Sequence, residues 1–406
     1  MARPGANGMN RIWLHDTRIA DPETSAEVPG SLLIENGRIL DRLRPRDPAP
    51  DGAEPISLAG ARLAPGFVDL HFHGELAACS IDDALEALRR ASASLARHGV
   101  TAFLATTVAW PASELRSRIE RLAAALAETQ WPGAIPIGIH LEGPWIRPEA
   151  AGAQPPEGIR PYDPAEGAAI FDRAGTALRL VTLAPELPGA RQLETDLAQR
   201  GVVIAVGHTL ANDADLHASI ANGACHVTHL FNAMGSVRHR QAAAEPRPGG
   251  FAGLALADDR IGCDLIADGV HVHPDWLRLA ARAKRDRLIL ISDRIDLPET
   301  PSITRAWLGA EQLRSDGVAW RLPDGRLAGS RLALDAAIRN VLEWRVMGSQ
   351  QAIAACTLQP ARLLGIERER GTLRVGARAD LVELSEAGNV LATWIGGRRL
   401  PAADPA

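Results

Sequence analysis

The segment Pro65-Gly66-Phe67-Val68-Asp69-Leu70-His71-Phe72-His73-Gly74 is a short apolar run that ends in two histidines one residue apart. In an extended strand, residues i and i+2 point the same way, so His71 and His73 present two imidazoles to one point. Such a pair is either satisfied by backbone carbonyls or bound to a metal ion. The apolar strand before it, and the glycine after it that frees the backbone, favour the metal site.

Seven further apolar segments follow, separated mostly by helical patterns, and each has the length of a single strand. They cover residues 101–107, 135–140, 178–183, 202–206, 225–229, 261–266 and 288–291. Because parallel strands need helical crossovers, eight such units predict an α/β fold, a (β/α)8 TIM-like barrel. A doubly wound open sheet is the alternative, but no Gly-x-Gly-x-x-Gly motif follows the first strand.

Both ends of the chain have β character. Near the start, apolar runs flank Asn36-Gly37, which is a strong hairpin signal, and near the end similar runs flank Gly396-Gly397. We therefore expect a small β-sandwich domain formed by both termini, residues 1–62 plus 366–406, with residues 63–365 forming the barrel.

Composition narrows the class of protein. The 406 residues carry a formal charge of −5 with acidic and basic residues interspersed, so we expect no nucleic acid partner. No apolar run reaches the roughly 20 residues that span a bilayer, and residues 1–20 lack the apolar core of a signal peptide. The four cysteines are widely spaced in apolar surroundings, which indicates core residues in a reducing compartment. We expect a cytoplasmic protein with no membrane contact.

Polar side chains stand at the carboxyl ends of the predicted strands, which share one mouth in a barrel. They are His71, His73, Glu142, His208, His229, Asp268 and Asp293. Four histidines and a glutamate suit one or two divalent metal ions, zinc first, with iron, cobalt or manganese as alternatives. Asp293 is the candidate general base. A Schiff-base mechanism has no candidate residue, because the only lysine, Lys284, lies late in a helical pattern.

Six motifs occur in order along the chain. They are the 65–74 segment, His140-Leu141-Glu142-Gly143-Pro144-Trp145, Gly207-His208-Thr209, His229-Leu230-Phe231-Asn232-Ala233-Met234, Ala267-Asp268-Gly269-Val270-His271 and Leu327-Ala328-Gly329-Ser330. This series resembles the N-acetylglucosamine-6-phosphate deacetylase family of the amidohydrolase superfamily. The resemblance covers nearly the whole chain, and it implies a hydrolase that acts on a small amino-sugar substrate and forms a homodimer.

The resemblance also implies roles for individual residues. The principal metal ligands would be Glu142, His208 and His229. Asp293 would be the catalytic acid and base, and His71 with His73 would form a second metal site that only some members possess. The substrate contacts would be Ala153, Gln154, Asn232, Ala233, Asp268, His271, Leu327, Ala328, Gly329 and Ser330.

Three departures from the family pattern concern the substrate. Gln154 stands where the family usually has a histidine beside the acyl group. The usual Arg-Glu-Pro-Gly, whose arginine holds the phosphate, is displaced to Ala244-Glu245-Pro246-Arg247-Pro248-Gly249-Gly250 behind a longer loop. Arg294-Ile295-Asp296 replaces the small residues that usually follow the catalytic aspartate. The arginines that would take over phosphate binding are Arg240 and Arg247, with Arg238 and Arg294 as alternatives.

We therefore expect hydrolysis of the N-acetyl amide of N-acetylglucosamine 6-phosphate, giving glucosamine 6-phosphate and acetate. The alternative substrate is an unphosphorylated or galacto-configured N-acyl amino sugar, or an N-acyl amino acid. A binding protein that keeps the barrel without turnover is a third interpretation, which the complete set of ligands together with Asp293 opposes.

Overall fold

The two ends of the chain meet in one eight-stranded sheet. The computed structural model describes residues 11–24, 26–76, 83–235, 250–296, 307–308 and 311–402. The strands of this sheet are β1 (Arg11–Ile19), β2 (Val28–Glu35), β3 (Arg38–Leu43), β4 (Glu54–Ser57), β5 (Arg62–Pro65), β19 (Leu381–Leu384), β20 (Val390–Ile395) and β21 (Arg398–Pro401). Their order is β21-β20-β19-β5-β1-β2-β3, with β4 beside β1. The predicted β domain from both termini is confirmed, and its strands belong to one continuous mixed sheet.

The turns that the sequence marks adopt the backbone that a tight hairpin needs. Asn36 and Gly37, between β2 and β3, have φ angles of 51° and 77°, and Gly396 and Gly397, between β20 and β21, have 55° and 78°. The sheet packs around its own apolar core, which contains Ile12, Leu14, Ile19, Leu32, Ile34, Ile39, Leu58, Leu63, Leu373, Ala379, Leu381 and Trp394. Burial of these side chains stabilises the terminal sheet, and Ala64, Val382, Leu384 and Val390 of the same sheet pack into the barrel core.

The middle of the chain forms a second sheet, of eight parallel strands. They are β6 (Phe67–Phe72), β7 (Val100–Thr106), β8 (Ile135–Glu142), β9 (Leu178–Leu183), β10 (Val203–Val206), β11 (Ala224–Val227), β12 (Gly262–Ile266) and β13 (Leu288–Ile291), and they neighbour one another in chain order. The circle closes beyond β13, where the Asp293 N–H donates to the His71 carbonyl oxygen at 2.9 Å. The His73 N–H likewise donates to the Arg294 carbonyl oxygen at 3.0 Å. The predicted (β/α)8 barrel is confirmed.

In the part of the chain that the structure describes, seven helices lie between consecutive barrel strands, and the last three helices follow β13. They are α1 (Ala84–Ala96), α2 (Ala112–Leu126), α3 (Pro164–Ala174), α4 (Ala190–Gln199), α5 (Asp213–Ala221), α6 (Gly250–Ala257), α7 (Pro274–Lys284), α8 (Leu334–Glu343), α9 (Ser349–Cys356) and α10 (Leu358–Leu363). The apolar spacing did not indicate α3 or α6. Helix α3 nevertheless begins with a cap, because the Asp163 side chain accepts from the Glu166 N–H at 2.9 Å and Pro164 follows directly. Across the described ranges, no helix is long and apolar enough to cross a bilayer.

A small β layer joins the barrel mouth between β13 and α8. Its strands are β14 (Trp307–Leu308), β15 (Glu311–Gln312), β16 (Arg314–Ser315), β17 (Ala319–Arg321) and β18 (Leu327–Ser330), of which β16, β17 and β18 form one antiparallel sheet. The Ser330 N–H donates to the Asp293 carbonyl oxygen at 2.8 Å. The end of β18 is therefore fixed to the same mouth at which the polar strand ends converge.

Candidate metal centre and active site

Three candidate residues occupy equivalent positions at the barrel mouth. His208, His229 and Asp293 each lie two residues beyond a strand, namely β10, β11 and β13. Their φ angles are 48°, 31° and 48°, in the left-handed region that a residue with a side chain rarely adopts. All three line the same cavity, so the strained turns direct their side chains to one point. Such strain at several residues of one cluster is typical of a functional site.

The first ligand group consists of Glu142, His208 and His229, all buried. The Nε2 atoms of the two histidines lie 3.0 and 2.9 Å from Glu142 Oε1 and 3.1 Å from each other. His208 Nδ1 lies 2.9 Å from the Ala150 carbonyl oxygen, which can only accept, so Nδ1 carries a proton. Nε2 is therefore the nitrogen that a metal ion would bind, and without its proton it would direct a lone pair at the carboxylate and at the second imidazole. Because converging lone pairs repel unless a cation lies between them, this group fits a metal ion.

The second ligand group consists of His71, His73 and Asp293. The two Nε2 atoms lie 3.1 Å apart, and each is 3.3 Å from Asp293 Oδ1. Tetrahedral ligands bound at about 2.0–2.1 Å to zinc lie roughly 3.3 Å from one another, so both groups have the spacing of metal ligands. Glu142 Oε2 lies 3.4 Å from His71 Nε2 and 3.3 Å from His73 Nε2. Glu142 therefore turns one oxygen to each group.

The surrounding imidazoles keep both carboxylates ionised. Burial by itself raises the pKa of Glu142, but the charge of His71 and the hydrogen bonds of the other imidazoles outweigh burial and hold that pKa well below its ordinary value. Burial also raises the pKa of Asp293, but the charges of His71 and His73 and the hydrogen bond from His73 outweigh burial and lower that pKa to about 2. Both groups are anionic at neutral pH, which is the state that a metal ligand and a general base require.

A glutamine fixes the carboxylate that lies between the two groups. Gln154 Oε1 accepts from the Ala109 N–H at 2.8 Å, so its amide nitrogen points the other way. That nitrogen, Nε2, donates to Glu142 Oε2 at 2.6 Å. Gln154 is buried and lines the cavity, so protein contacts determine its orientation.

Asp264 on β12 supports the strained backbone of His229. Its Oδ1 accepts from the His229 N–H, and its Oδ2 lies 2.9 Å from His226 Nε2. The Leu230 N–H donates to the Asp264 carbonyl oxygen at 3.0 Å. The buried Asp264 carboxylate therefore fixes the backbone of this candidate ligand, and His226 occupies the other oxygen of Asp264.

A cavity of about 240 Å³ opens over both ligand groups. The predicted substrate positions that line it are Ala153, Gln154, Asn232, Ala233, His271, Leu327, Ala328 and Gly329. Asp268 and Ser330 instead lie behind the lining. Asp268 Oδ2 is 2.6 Å from His271 Nδ1, and Ser330 bonds to the backbone of Asp293 as described above. These two residues position cavity residues.

The predicted phosphate-binding arginines, Arg240 and Arg247, lie outside the described residues, as does Arg238. Arg294 is described; its Nε donates to Asp296 Oδ1 at 2.5 Å, and it is not among the described residues that line the cavity. The lining residues that the sequence did not indicate are Val108, Gly152, Ile295 and Arg326. Arg326 directly precedes the 327–330 motif, so extending that motif by one residue would have found it.

Comparison with known proteins agrees with this geometry, since a profile described as the amidohydrolase family matches residues 62–400. The chain belongs to the amidohydrolase family. N-acetylgalactosamine-6-phosphate deacetylase of Escherichia coli O157:H7 is 35% identical to this amidohydrolase over 373 residues, which cover 90% of this chain and 97% of the relative. N-acetylglucosamine-6-phosphate deacetylase of Bacillus subtilis (strain 168) is 35% identical over 367 residues, which cover 90% of this chain and 91% of that relative.

A solved structure extends the similarity to the whole fold. It is a mutant of N-acetyl-D-glucosamine-6-phosphate deacetylase from Mycobacterium smegmatis in complex with N-acetyl-D-glucosamine-6-phosphate. Its TM-score is 0.83 at 29% identity, with 96% of this chain and 99% of that chain covered. The resemblance predicted from the motifs is confirmed. Membership of the amidohydrolase family implies use of a divalent metal, and the two ligand groups fit one.

Proposed function

We propose that this amidohydrolase hydrolyses the N-acetyl amide of N-acetylglucosamine 6-phosphate and releases glucosamine 6-phosphate and acetate. The observation that carries the proposal is the convergence of two metal-ligand groups, one of which includes Asp293, on a single cavity. Relatives named for this activity align with most of the chain, including the B. subtilis enzyme and, at 32% identity over 415 residues, the human enzyme.

The donor set suggests which residues hold metal. We assign one ion to Glu142, His208 and His229, and a second to His71 and His73 together with Asp293. Imidazole nitrogens and carboxylate oxygens suit zinc best, with iron, cobalt or manganese as alternatives. A bound divalent metal supplies Lewis acidity, which polarises an amide carbonyl and makes water acidic enough to attack at neutral pH.

In this proposal Asp293 moves the proton. Its carboxylate lines the cavity, so it can accept a proton as the attacking water oxygen bonds to the carbonyl carbon. The carboxylic acid then donates that proton to the amide nitrogen, and the carbon–nitrogen bond breaks. Protonation is needed because an alkylamide anion is too basic to leave. The amine departs neutral, and Asp293 returns to its starting state.

Gln154 is the donor that we assign to the developing oxyanion. One of its amide N–H groups is taken by Glu142, and the side chain lines the cavity, which leaves the second N–H for the substrate. A neutral donor that is oriented before the reaction stabilises negative charge as it builds on the carbonyl oxygen. The glutamine would thus replace the histidine that the family usually has beside the acyl group.

A galacto-configured sugar phosphate is the second candidate substrate. The E. coli relative named for N-acetylgalactosamine 6-phosphate is 35% identical to this chain, the same value as the B. subtilis relative named for the gluco isomer. The two sugars carry the same amide and differ only in the configuration of one ring hydroxyl. The same catalytic residues would therefore serve both, and contacts at the cavity wall would decide between them.

We also propose a homodimer and a cytoplasmic location. Trp276 and Leu279 on α7 are 54% and 45% exposed, and they provide apolar surface for a second subunit to cover. The thiols of Cys225, Cys263 and Cys356 are free, which is typical of a reducing compartment.

The deciding experiment measures acetate release by the metal-loaded protein. We expect the highest kcat/KM for N-acetylglucosamine 6-phosphate, lower values for its galacto isomer, and the lowest for unphosphorylated N-acetylglucosamine. Equal or higher values without phosphate would reject the phosphorylated substrate. Absence of acetate release from all three sugars by protein with a measured metal content would reject the deacetylase function.

A further inference from the structure

Of the residues that the structure describes, one that lines the cavity carries a permanent positive charge. Among the described residues that line it, Arg326 is the only arginine or lysine. It lies in the turn between β17 and β18, directly before the first residue of β18. A permanent cation at the wall of a small-molecule site is a candidate for recognition of an anionic group.

Two hydrogen bonds hold the Arg326 guanidinium in place. Nε donates to Asp324 Oδ2 at 2.7 Å, and Nη1 donates to the Gly152 carbonyl oxygen. Nη2 makes no hydrogen bond to any part of the chain that the structure describes. The planar group is therefore oriented in advance while part of its donor capacity stays available. The side chain is 59% exposed, so a ligand that enters from solvent can reach it.

The contact with Gly152 places Arg326 at a defined part of the cavity. A Cβ atom built on Gly152 would lie 3.5 Å from Ala233 Cβ and 3.5 Å from His208 Cε1. Arg326 therefore bonds to a backbone segment that packs directly against Ala233. Asn232 and Ala233 line the cavity with it, so the cation and these backbone groups border the same space.

We propose that Arg326 binds the anionic group of the substrate and thereby sets the preference for a phosphorylated over an unphosphorylated N-acetylhexosamine. This inference rests on the proposed function and adds a specificity-determining residue to it. A guanidinium binds phosphate oxygens through short, charge-assisted hydrogen bonds. Loss of such a bond lowers kcat/KM by about 10- to 100-fold for the substrate that makes it, and leaves a substrate without the anion unaffected.

The test compares Arg326→Gln, Arg326→Lys and the control Arg321→Gln. Arg321 lies on β17 of the same hairpin and pairs with Asp316 at 2.7 Å, and it is not among the described residues that line the cavity. We expect Arg326→Gln to lower kcat/KM about 10- to 100-fold for N-acetylglucosamine 6-phosphate and less than about 2-fold for N-acetylglucosamine. Arg326→Lys retains the charge and should recover part of the loss, and Arg321→Gln should match the wild type on both substrates.

Equal losses on the two sugars in Arg326→Gln would overturn the inference, because a residue that only anchors the Gly152 segment would affect both alike. Calorimetric titration with inorganic phosphate gives a second readout that does not depend on turnover. Weaker phosphate binding in Arg326→Gln, with the wild-type Kd retained in Arg321→Gln, supports the inference. An unchanged Kd in Arg326→Gln overturns it. If the wild type hydrolyses neither sugar, the proposed function fails, and the phosphate titration still decides the role of Arg326.

Discussion

Gln154 and Glu142 are joined by a hydrogen bond of 2.6 Å, made to the carboxylate oxygen that faces His71 and His73. The other oxygen faces His208 and His229. Since Gln154 is itself fixed by the Ala109 N–H, it sets the rotation of the carboxylate that lies between the two ligand groups. Residues that hydrogen-bond to a metal ligand commonly affect metal affinity as well as the orientation of the ligand.

Gln154→Leu removes the amide at nearly the same volume and leaves both the Glu142 oxygen and the Ala109 N–H without this partner. We expect metal affinity to fall about 10- to 100-fold, the usual effect of losing a hydrogen bond behind a ligand. Competition with a chromogenic chelator measures it. Gln192→Leu is the matched control, because Gln192 also donates to a carboxylate, Asp196, but on an exposed helix face. Equal affinities in the two variants would show that Gln154 does not position the ligand.

Asp293→Asn keeps the shape of the side chain but cannot shuttle a proton. We expect kcat to fall at least about 100-fold, the scale of general acid–base catalysis. The ion at Glu142, His208 and His229 should remain, whereas a second ion should be weakened because Asp293 Oδ1 lies 3.3 Å from both of its histidines. Steady-state kinetics and elemental analysis on the same preparation test both statements. Wild-type turnover in the metal-loaded variant would exclude the catalytic role, and Asp296→Asn serves as the neighbouring control.

The two ligand groups should respond differently to mutation. His208→Ala should lower metal content and activity together, because it opens the group that matches the principal site. His71→Ala should remove only a second ion and leave the first in place. Glu142→Ala should affect both ions, since each of its oxygens faces one group. Metal-to-protein ratios decide which group holds the principal ion. Complete loss of metal in His71→Ala with retention in His208→Ala would make the group with His71 the principal one.

Asp264→Asn tests the support behind His229. The asparagine has one acceptor oxygen in place of two, so it cannot accept from both the His229 N–H and His226 Nε2 as Asp264 does. We expect a loss of about 1–3 kcal/mol in the free energy of unfolding and a measurable fall in metal affinity. Thermal unfolding with and without metal separates the loss of folding stability from the loss of metal affinity. A loss of stability with unchanged metal affinity would make Asp264 a structural residue only.

The sequence by itself determined the architecture and the set of polar residues that meet at the barrel mouth. Apolar periodicity placed all eight barrel strands, and Asn36-Gly37 and Gly396-Gly397 marked hairpins whose positive φ angles the structure contains. Their convergence could be predicted because the carboxyl ends of parallel strands share one mouth, so polar residues at those ends meet whatever their separation in sequence.

Only the tertiary structure decided which of these residues lie in which ligand group. That Asp293 joins His71 and His73, that Glu142 faces both groups, and that Gln154 fixes its rotation depend on contacts between residues far apart in the chain. Arg326 lies at the cavity wall because of a hairpin turn and a hydrogen bond to the Gly152 carbonyl oxygen. Neither feature produces a periodic pattern in the sequence. Strand periodicity fixes which way a side chain points within its own element, whereas strand register, side-chain rotamers and the strained turns beyond the strands fix which partners it meets.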